Sequence, residues 1–343
     1  MYLNFLITDT MVLMKRFIPS VRGTLKSRGK TSKNIKKTDK KVRSPFVMTK
    51  TAMKTAVVAG FIILGMGGYL WWQFIFTDPE YAFRAMLKNS LRTHSVTKVS
   101  DQIGDNQSLE QISRLLLGSE PAVVSQTTIT QTAESEVMAE VVTEELGTPT
   151  QDFVRYVSIS TSQVNDDGQE LDFSELLGVW GVTEQQPGQA TVQGAAFGEA
   201  TLGIIPFGLV SSTDQKRLYE FVIENEVYSV DYLGVVKNPD SIRPQYTYPV
   251  SIRPEAYVGY LVQFAEAQGL NQLQGVNPAD FRNVPAVEFS VTVDVISQRP
   301  VEITYAQNTR SERIQAFGVL QDITMPSNAI PAIELQQRLQ SVQ

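Results

Sequence analysis

The stretch "AVEFSVTVDVI" (residues 286–296), followed by "RPVEITYAQ" (299–307) and "RIQAFGVLQDITMP" (313–326), decides the fold class. Apolar and polar residues alternate with period two, Val, Ile and Thr dominate, and short polar turns separate the runs. That is the pattern of half-buried strands joined as an antiparallel meander. One face of the first strand would carry Val287, Phe289, Val291, Val293 and Val295, and such a face must be covered.

Working outward, "YTYPVSI" (246–252) is a further strand. "RPEAYVGYLVQFAEAQGLNQL" (253–273) is a helix opening at Pro254, with Tyr257, Tyr260, Leu261, Phe264 and Ala265 on its apolar side. "PAIELQQRLQ" (331–340) closes the chain as a short helix. Upstream, "SVTKVSDQ", "AVVSQTTITQT", "EVMAEVVTEEL" and "FVRYVSISTSQV" repeat the strand pattern between 95 and 164. "SLEQISRLLLG" (108–118) fits either period and is assigned to a strand from its neighbours. "TDPEYAFRAMLKNSLRTHS" (77–95) is a helix capped by Asp78, with Pro79 in its first turn and Phe83, Met86, Leu87 and Leu91 on one face. In the middle, "GAAFGEATLGIIPFGLVSSTDQKRLYEFVIE" (194–224) runs from an apolar segment, 195–210, into a helix, and "EVYSVDYLGVV" (226–236) returns as a strand. The apolar segment is read as packed core, or alternatively as a flap over a ligand or against a membrane. The whole is an α+β domain over 77–343.

Ahead of it, "TAVVAGFIILGMGGYLWWQFIF" (55–76) runs twenty-two residues without a charge. At about 1.5 Å per residue it covers roughly 33 Å, enough for a transmembrane helix. Tyr69, Trp71 and Trp72 stand at its far end, where aromatic rings favour the headgroup region. Residues 1–54 carry a net +12 and the rest of the chain a net −18, which predicts an N-terminus inside and the large domain extracellular or periplasmic. The positions after the apolar run are bulky, so an uncleaved signal anchor is expected. The basic tail 1–54 is expected to be disordered and cytoplasmic, chiefly an orientation signal, with anionic lipid or nucleic acid as alternative contacts. A start at Met14 or Met48 would shorten it, the latter to an anchor alone. Ala52, Ala56 and Gly60 have the spacing of close membrane-helix pairs.

The chain has no cysteine, which fits a bacterial cell envelope for a domain of this size, and the domain's acidity argues against nucleic acid as its partner. His94 is the one histidine and has no nucleophile motif near it. No metal and no cofactor is expected. Around "QVNDDGQELDFSE", a calcium loop centred on Gly168 would need a bidentate Glu where Ser174 stands, so a turn at Asp167–Gly168 is the reading. Glu144, Glu145, Glu134 and Glu136 are read as solvated strand-end acids.

The element order, and the cadence of strand, x-Pro turn and strand ending in Ile323-Thr324-Met325-Pro326, resembles the LolA/LppX-like lipoprotein-carrier half-barrel of bacterial envelopes over about 79–335. That resemblance implies a curved antiparallel β-sheet with helices covering its concave face, able to hold an acyl chain. The expected function is a membrane-anchored binding protein for a lipid or other apolar ligand, with no catalysis. Ile204, Ile205, Phe207, Tyr257, Tyr260 and Phe264 are the expected cavity or lid residues. The alternative is a fully packed scaffold that meets an envelope protein partner.

Overall fold

A computed structural model describes residues 64–68, 78–133, 136–165, 168–183, 194–238, 241–305 and 309–342. Two units partition the chain. In the unit that contains the apolar run, residues 64–68 are helical. The expected tail, the small-residue spacing at 52–60 and the rest of the 55–76 segment lie outside the described residues. Among the described residues no helix is long and apolar enough to cross a membrane.

In the unit from Asp78 onward, helix α1 (Pro79–Ser90) starts as expected: the Asp78 side chain accepts from the Glu80 N–H at 3.1 Å, and Pro79 needs no donor partner in the first turn. Its buried side is Ala82, Phe83, Met86 and Leu87. Strands β1 (Ser95–Ile103), β2 (Gln107–Leu116), β3 (Ala122–Ala133), β4 (Glu136–Gly147) and β5 (Asp152–Thr161) follow as an antiparallel meander. Short β6 (Gly181–Val182) extends it. Then come α2 (Ala195–Thr201), α3 (Ser212–Glu224), β7 (Tyr228–Val230), β8 (Val236–Asn238), β9 (Gln245–Ile252), α4 (Pro254–Ala267) and a 3-10 turn (Pro278–Phe281). A second meander, β10 (Val287–Asp294), β11 (Arg299–Tyr305) and β12 (Arg310–Gln315), follows. The chain ends with β13 (Ile330–Pro331) and α5 (Ala332–Val342).

Among the described residues, thirteen strands form one sheet in the order β13-β6-β5-β4-β3-β2-β1-β12-β11-β10-β9-β7, with β8 also on β9. The two meanders meet where β1 pairs with β12, and the curved sheet remains unclosed. The α+β class and the strand reading of 108–118 hold. Phe289, Val291, Val293 and Val295 are buried as the alternation requires.

Two expected strands are shorter than read. In 226–236 the Asp231 carboxylate accepts from the Leu233 and Gly234 N–H groups, and this local turn breaks the run into β7 and β8. In 313–326 the strand ends at Gln315, because Ala316 and Gly318 take positive φ and turn the chain out of the sheet. The chain then crosses the back face, where Gly318 donates to the Ser95 carbonyl and the Ser95 hydroxyl donates to the Val319 carbonyl. It reaches Trp180, whose carbonyl accepts from Ile330, and pairs β13 in parallel with β6.

Candidate functional site

The register places one row of side chains across the helix-covered face: Tyr248, Val291, Ile303, Glu312, Ser100, Gln111, Thr127, Thr143 and Tyr156. It is apolar over β9 to β11 and turns polar from β12 onward. The neighbouring row repeats the change, with Ile314 followed by Lys98, Ser113, Ser125 and Glu145. The inner face is therefore amphipathic along its width.

The apolar half is packed tightly. Helix α1 lies against β10 and β11, and the Phe83 ring packs tilted against that of Tyr248 with centroids 5.2 Å apart. All six expected site residues sit in this half or at its border. Phe264 and Tyr260 are 0% and 2% exposed, Phe207 and Ile205 are as deeply buried, and Ile204 is only slightly less so. Tyr257 is half-buried, and its hydroxyl donates to the Gly203 carbonyl at 2.8 Å. Tyr228, which sequence reasoning missed, ties the group together. Its ring meets those of Tyr257 and Tyr260 edge-on, and its hydroxyl donates to the Ile204 carbonyl at 2.7 Å. Burial raises the pKa values of all three tyrosines, so these hydroxyls stay protonated donors.

The segment 202–210 is stitched to the end of α1 by backbone bonds: Gly208 donates to the Ser90 carbonyl, Thr93 to Gly208 and Val210 to Leu91. Gly208 is required here, since a Cβ would lie 2.8 Å from Cζ of Phe264. These contacts place the 195–210 stretch in the core, the first of the two readings of that sequence. Two surface hollows, of about 370 Å³ beside α3 and about 300 Å³ on the back face by Trp180, include none of the six residues.

The polar half has a buried hub at Glu312, 2% exposed. Its carboxylate accepts from Tyr305 Oη and from Arg310 Nη2, each at 2.7 Å, and lies 3.8 Å from Lys98 Nζ. Burial pushes the Glu312 carboxyl up, but Lys98, Arg310 and the Tyr305 hydroxyl outweigh it and hold it below the usual range. Lys98 also donates to the Ala200 carbonyl at 3.1 Å, a cation at the C-terminal end of α2.

Helix α2 covers part of β2 to β5. Asp152 caps it, accepting from the Ala195 and Ala196 N–H groups at 2.8 and 3.1 Å. Gly147 permits this approach, because a Cβ there would come within 2.8 Å of the Phe197 nitrogen. The helix brings Glu199 over Glu145. Burial, then repulsion from Glu199 and Asp152, pushes the Glu145 carboxyl up to about 7. Glu199 is itself raised by desolvation, against the pull of Lys98 and Arg310. Glu145 is thus inward and coupled rather than solvated as the sequence suggested. Its neighbour Glu144 is on the opposite face, ion-paired to Arg155. Strand parity separates them, and only the register reveals which one points in.

The sign of the Glu145 effect follows from linkage. A carboxyl whose folded pKa is raised binds its proton more tightly when folded, so its contribution is full below about 4.5 and is lost as pH climbs through 7. Glu145→Gln should therefore stabilise the domain at pH 8, by at most about 3 kcal/mol, and leave it nearly unchanged near pH 4.5. Thermal unfolding of both proteins across that range checks this; equal melting shifts at pH 5 and pH 8 would remove the coupling.

Among the described residues no group of three or more His, Asp or Glu is placed to hold a metal ion. His94 is exposed in the turn after α1. Gly168 takes φ +74° and Gln169 donates to the Asn165 side chain, the turn expected there, although Asp167 lies outside the described residues.

No family model matches the chain and no curated protein does. Among solved structures, the chain is similar to the crystal structure of LprF from Mycobacterium bovis, at 10% identity and a TM-score of 0.34, covering 73% of this chain and 97% of that one. At that level of likeness the ligand chemistry has to come from the chain's own residues.

Proposed function

We propose that this chain is a membrane-anchored envelope protein whose external domain binds an amphipathic lipid and performs no catalysis. The segment 55–76 is its anchor, with the basic tail cytoplasmic and residues 77–343 extracellular or periplasmic. The observation that carries the reading is the divided inner face of an unclosed sheet: apolar from β9 to β11, polar from β12 to β5, with Gln111, Thr127, Thr143 and Tyr156 only half-buried. An acyl chain would enter the layer of Ile204, Ile205, Phe207, Tyr257, Tyr260 and Phe264. The headgroup would lie among the hydroxyls, amides and charges of the polar half. Entry of the chain would require segment 202–210, which is packed over this layer, to release its backbone bonds to the end of α1.

A second reading has its own support. Phe264, Tyr260 and Phe207 are packed as in a solid core, which suits a scaffold that presents its surface to an envelope protein partner. Native mass spectrometry on residues 77–343, purified from a membrane-containing host without detergent, separates the two. Lipid binding predicts a lipid-sized adduct that extraction removes. A clean apo mass, with no uptake of added fatty acid or phospholipid, would leave the scaffold reading.

A further inference from the structure

Around the start of α1 the unit exposes large apolar side chains that the inner-face site does not use. Leu233 is 101% exposed and Ile242 is 104%, and Tyr232 and Val236 near them in the chain, with Tyr81 of α1, are exposed too. They belong to one edge of the molecule. Tyr232 sits with its hydroxyl against Arg84, Glu80 and Asp78 of the first turns of α1. Leu233 is the next residue, at the tip of the turn held by Asp231. Val236 opens β8, the last strand at that edge, and Ile242 lies in the β8–β9 hairpin. The Tyr248 hydroxyl donates to the Pro79 carbonyl, which fixes the start of α1 to β9. Some charges of this edge are matched internally, Arg84 with Glu80 and Arg243 with Asp294, while the Lys237 ammonium of β8 lies over the Tyr246 ring. Two tyrosines beside fully exposed aliphatic side chains, with a lysine whose stem can snorkel at the rim, have the composition of a bilayer-interface contact.

What lies against this edge is indicated by the chain itself. The uncharged run of twenty-two residues ends at Phe76, and α1 begins at Pro79. Fewer than four residues at no more than about 3.6 Å each separate the end of the run from the first turn of α1. Asp78 is extended and Pro79 opens the first turn, so α1 starts as a new helix after the run.

We propose that this edge, Tyr81, Tyr232, Leu233, Val236 and Ile242, is a membrane-seating surface that inserts into the headgroup region of the bilayer crossed by residues 55–76. The inference rests on the anchor reading above. It adds an orientation: the β7–β8 edge faces the lipid and the back-face segment around Leu320 faces away.

The test uses the full chain, whose lack of cysteine lets single labels be placed cleanly. Leu64→Cys, Leu233→Cys, Ile242→Cys and Leu320→Cys would each carry an environment-sensitive fluorophore in phosphatidylcholine vesicles. The vesicles would contain phosphatidylcholine spin-labelled either at the headgroup or along the acyl chain. Labels at 233 and 242 should lose most of their emission to the headgroup quencher. The label at 64 should respond to the acyl-chain quencher, and the label at 320 to neither. Quenching at 64 without quenching at 233 and 242 overturns the seating surface while leaving the anchor intact. Absence of quenching at 64 overturns the anchor and this inference with it. A blue-shifted but unquenched label at 233 would mean that protein covers this edge, and a label at 320 quenched as strongly as 233 would remove the orientation; either result overturns the proposal.

Discussion

Replacing Glu312 with alanine should destabilise the domain by about 3–5 kcal/mol, the cost of removing one partner from a buried charge cluster. Lys98 and Arg310 would face each other with no anion between them, and the Tyr305 hydroxyl would lose its acceptor. Glu312→Gln keeps an acceptor for Tyr305 and should lose less. Changing Lys98, Arg310 and Glu312 together to apolar residues of similar size should regain much of the loss, because no charge is then left buried alone. Urea unfolding of the three variants checks the order; a loss under about 1 kcal/mol for Glu312→Ala would match a solvated surface pair instead. Acid should act on the same hub. The folded pKa of Glu312 is lowered, so its contribution is present above the ordinary carboxylate range and disappears as pH falls. Glu145 works in the opposite sense, so the two carboxylates favour an optimum between acid and neutral pH.

Phe264→Ala should cost a similar amount, about 3–5 kcal/mol, for a different reason. The ring is fully buried, its far edge against Gly208 and its helix against the tyrosine layer. Apart from the Gln268 amide, which meets the ring tip at Gly208, these neighbours are ring and aliphatic carbon, so the void should accept a small apolar probe. This variant also divides the two functional readings. If the layer opens to hold an acyl chain, the wild-type domain already takes up fatty acid and the truncation changes its affinity. If the layer is solid, only the variant takes up an apolar probe. Calorimetric titration of both proteins with a fatty acid distinguishes them.

Much of this architecture was legible because the signals are local. Alternation in 286–307, the Asp78-Pro79 start of α1 and Pro254 opening α4 each need only a few neighbouring residues to be read. The six apolar site residues were also legible as a group, since Tyr257, Tyr260 and Phe264 share one helix face and 204–207 is uniformly apolar but for Pro206. The polar half was not. Lys98, Glu145, Glu199, Arg310 and Glu312 come from β1, β4, α2 and β12, and within each element they look like ordinary solvent-facing residues. The pairing of β1 with β12 gathers Lys98, Arg310 and Glu312, and the packing of α2 over β4 brings Glu145 and Glu199 beside them. Tyr228 was missed likewise: its strand is three residues long, and its hydroxyl partner is on another element. The over-long strands failed where single residues overrule periodicity, Asp231 through its side chain and Ala316 and Gly318 through their backbone angles.

That central seam has a consequence for how the domain acquires its structure. Asp101 of β1 and Arg313 of β12 are ion-paired across 212 positions of chain. During synthesis from the N-terminus, β1 to β5 emerge first and can pair with one another, but the open side of β1 waits for nearly the last tenth of the protein. Non-local pairing of this kind slows folding and leaves an unpaired strand edge exposed meanwhile. Chains stopped before β12 would keep that edge bare, and the full-length domain should fold in a late, slow step that completes only after the C-terminal strands have been released.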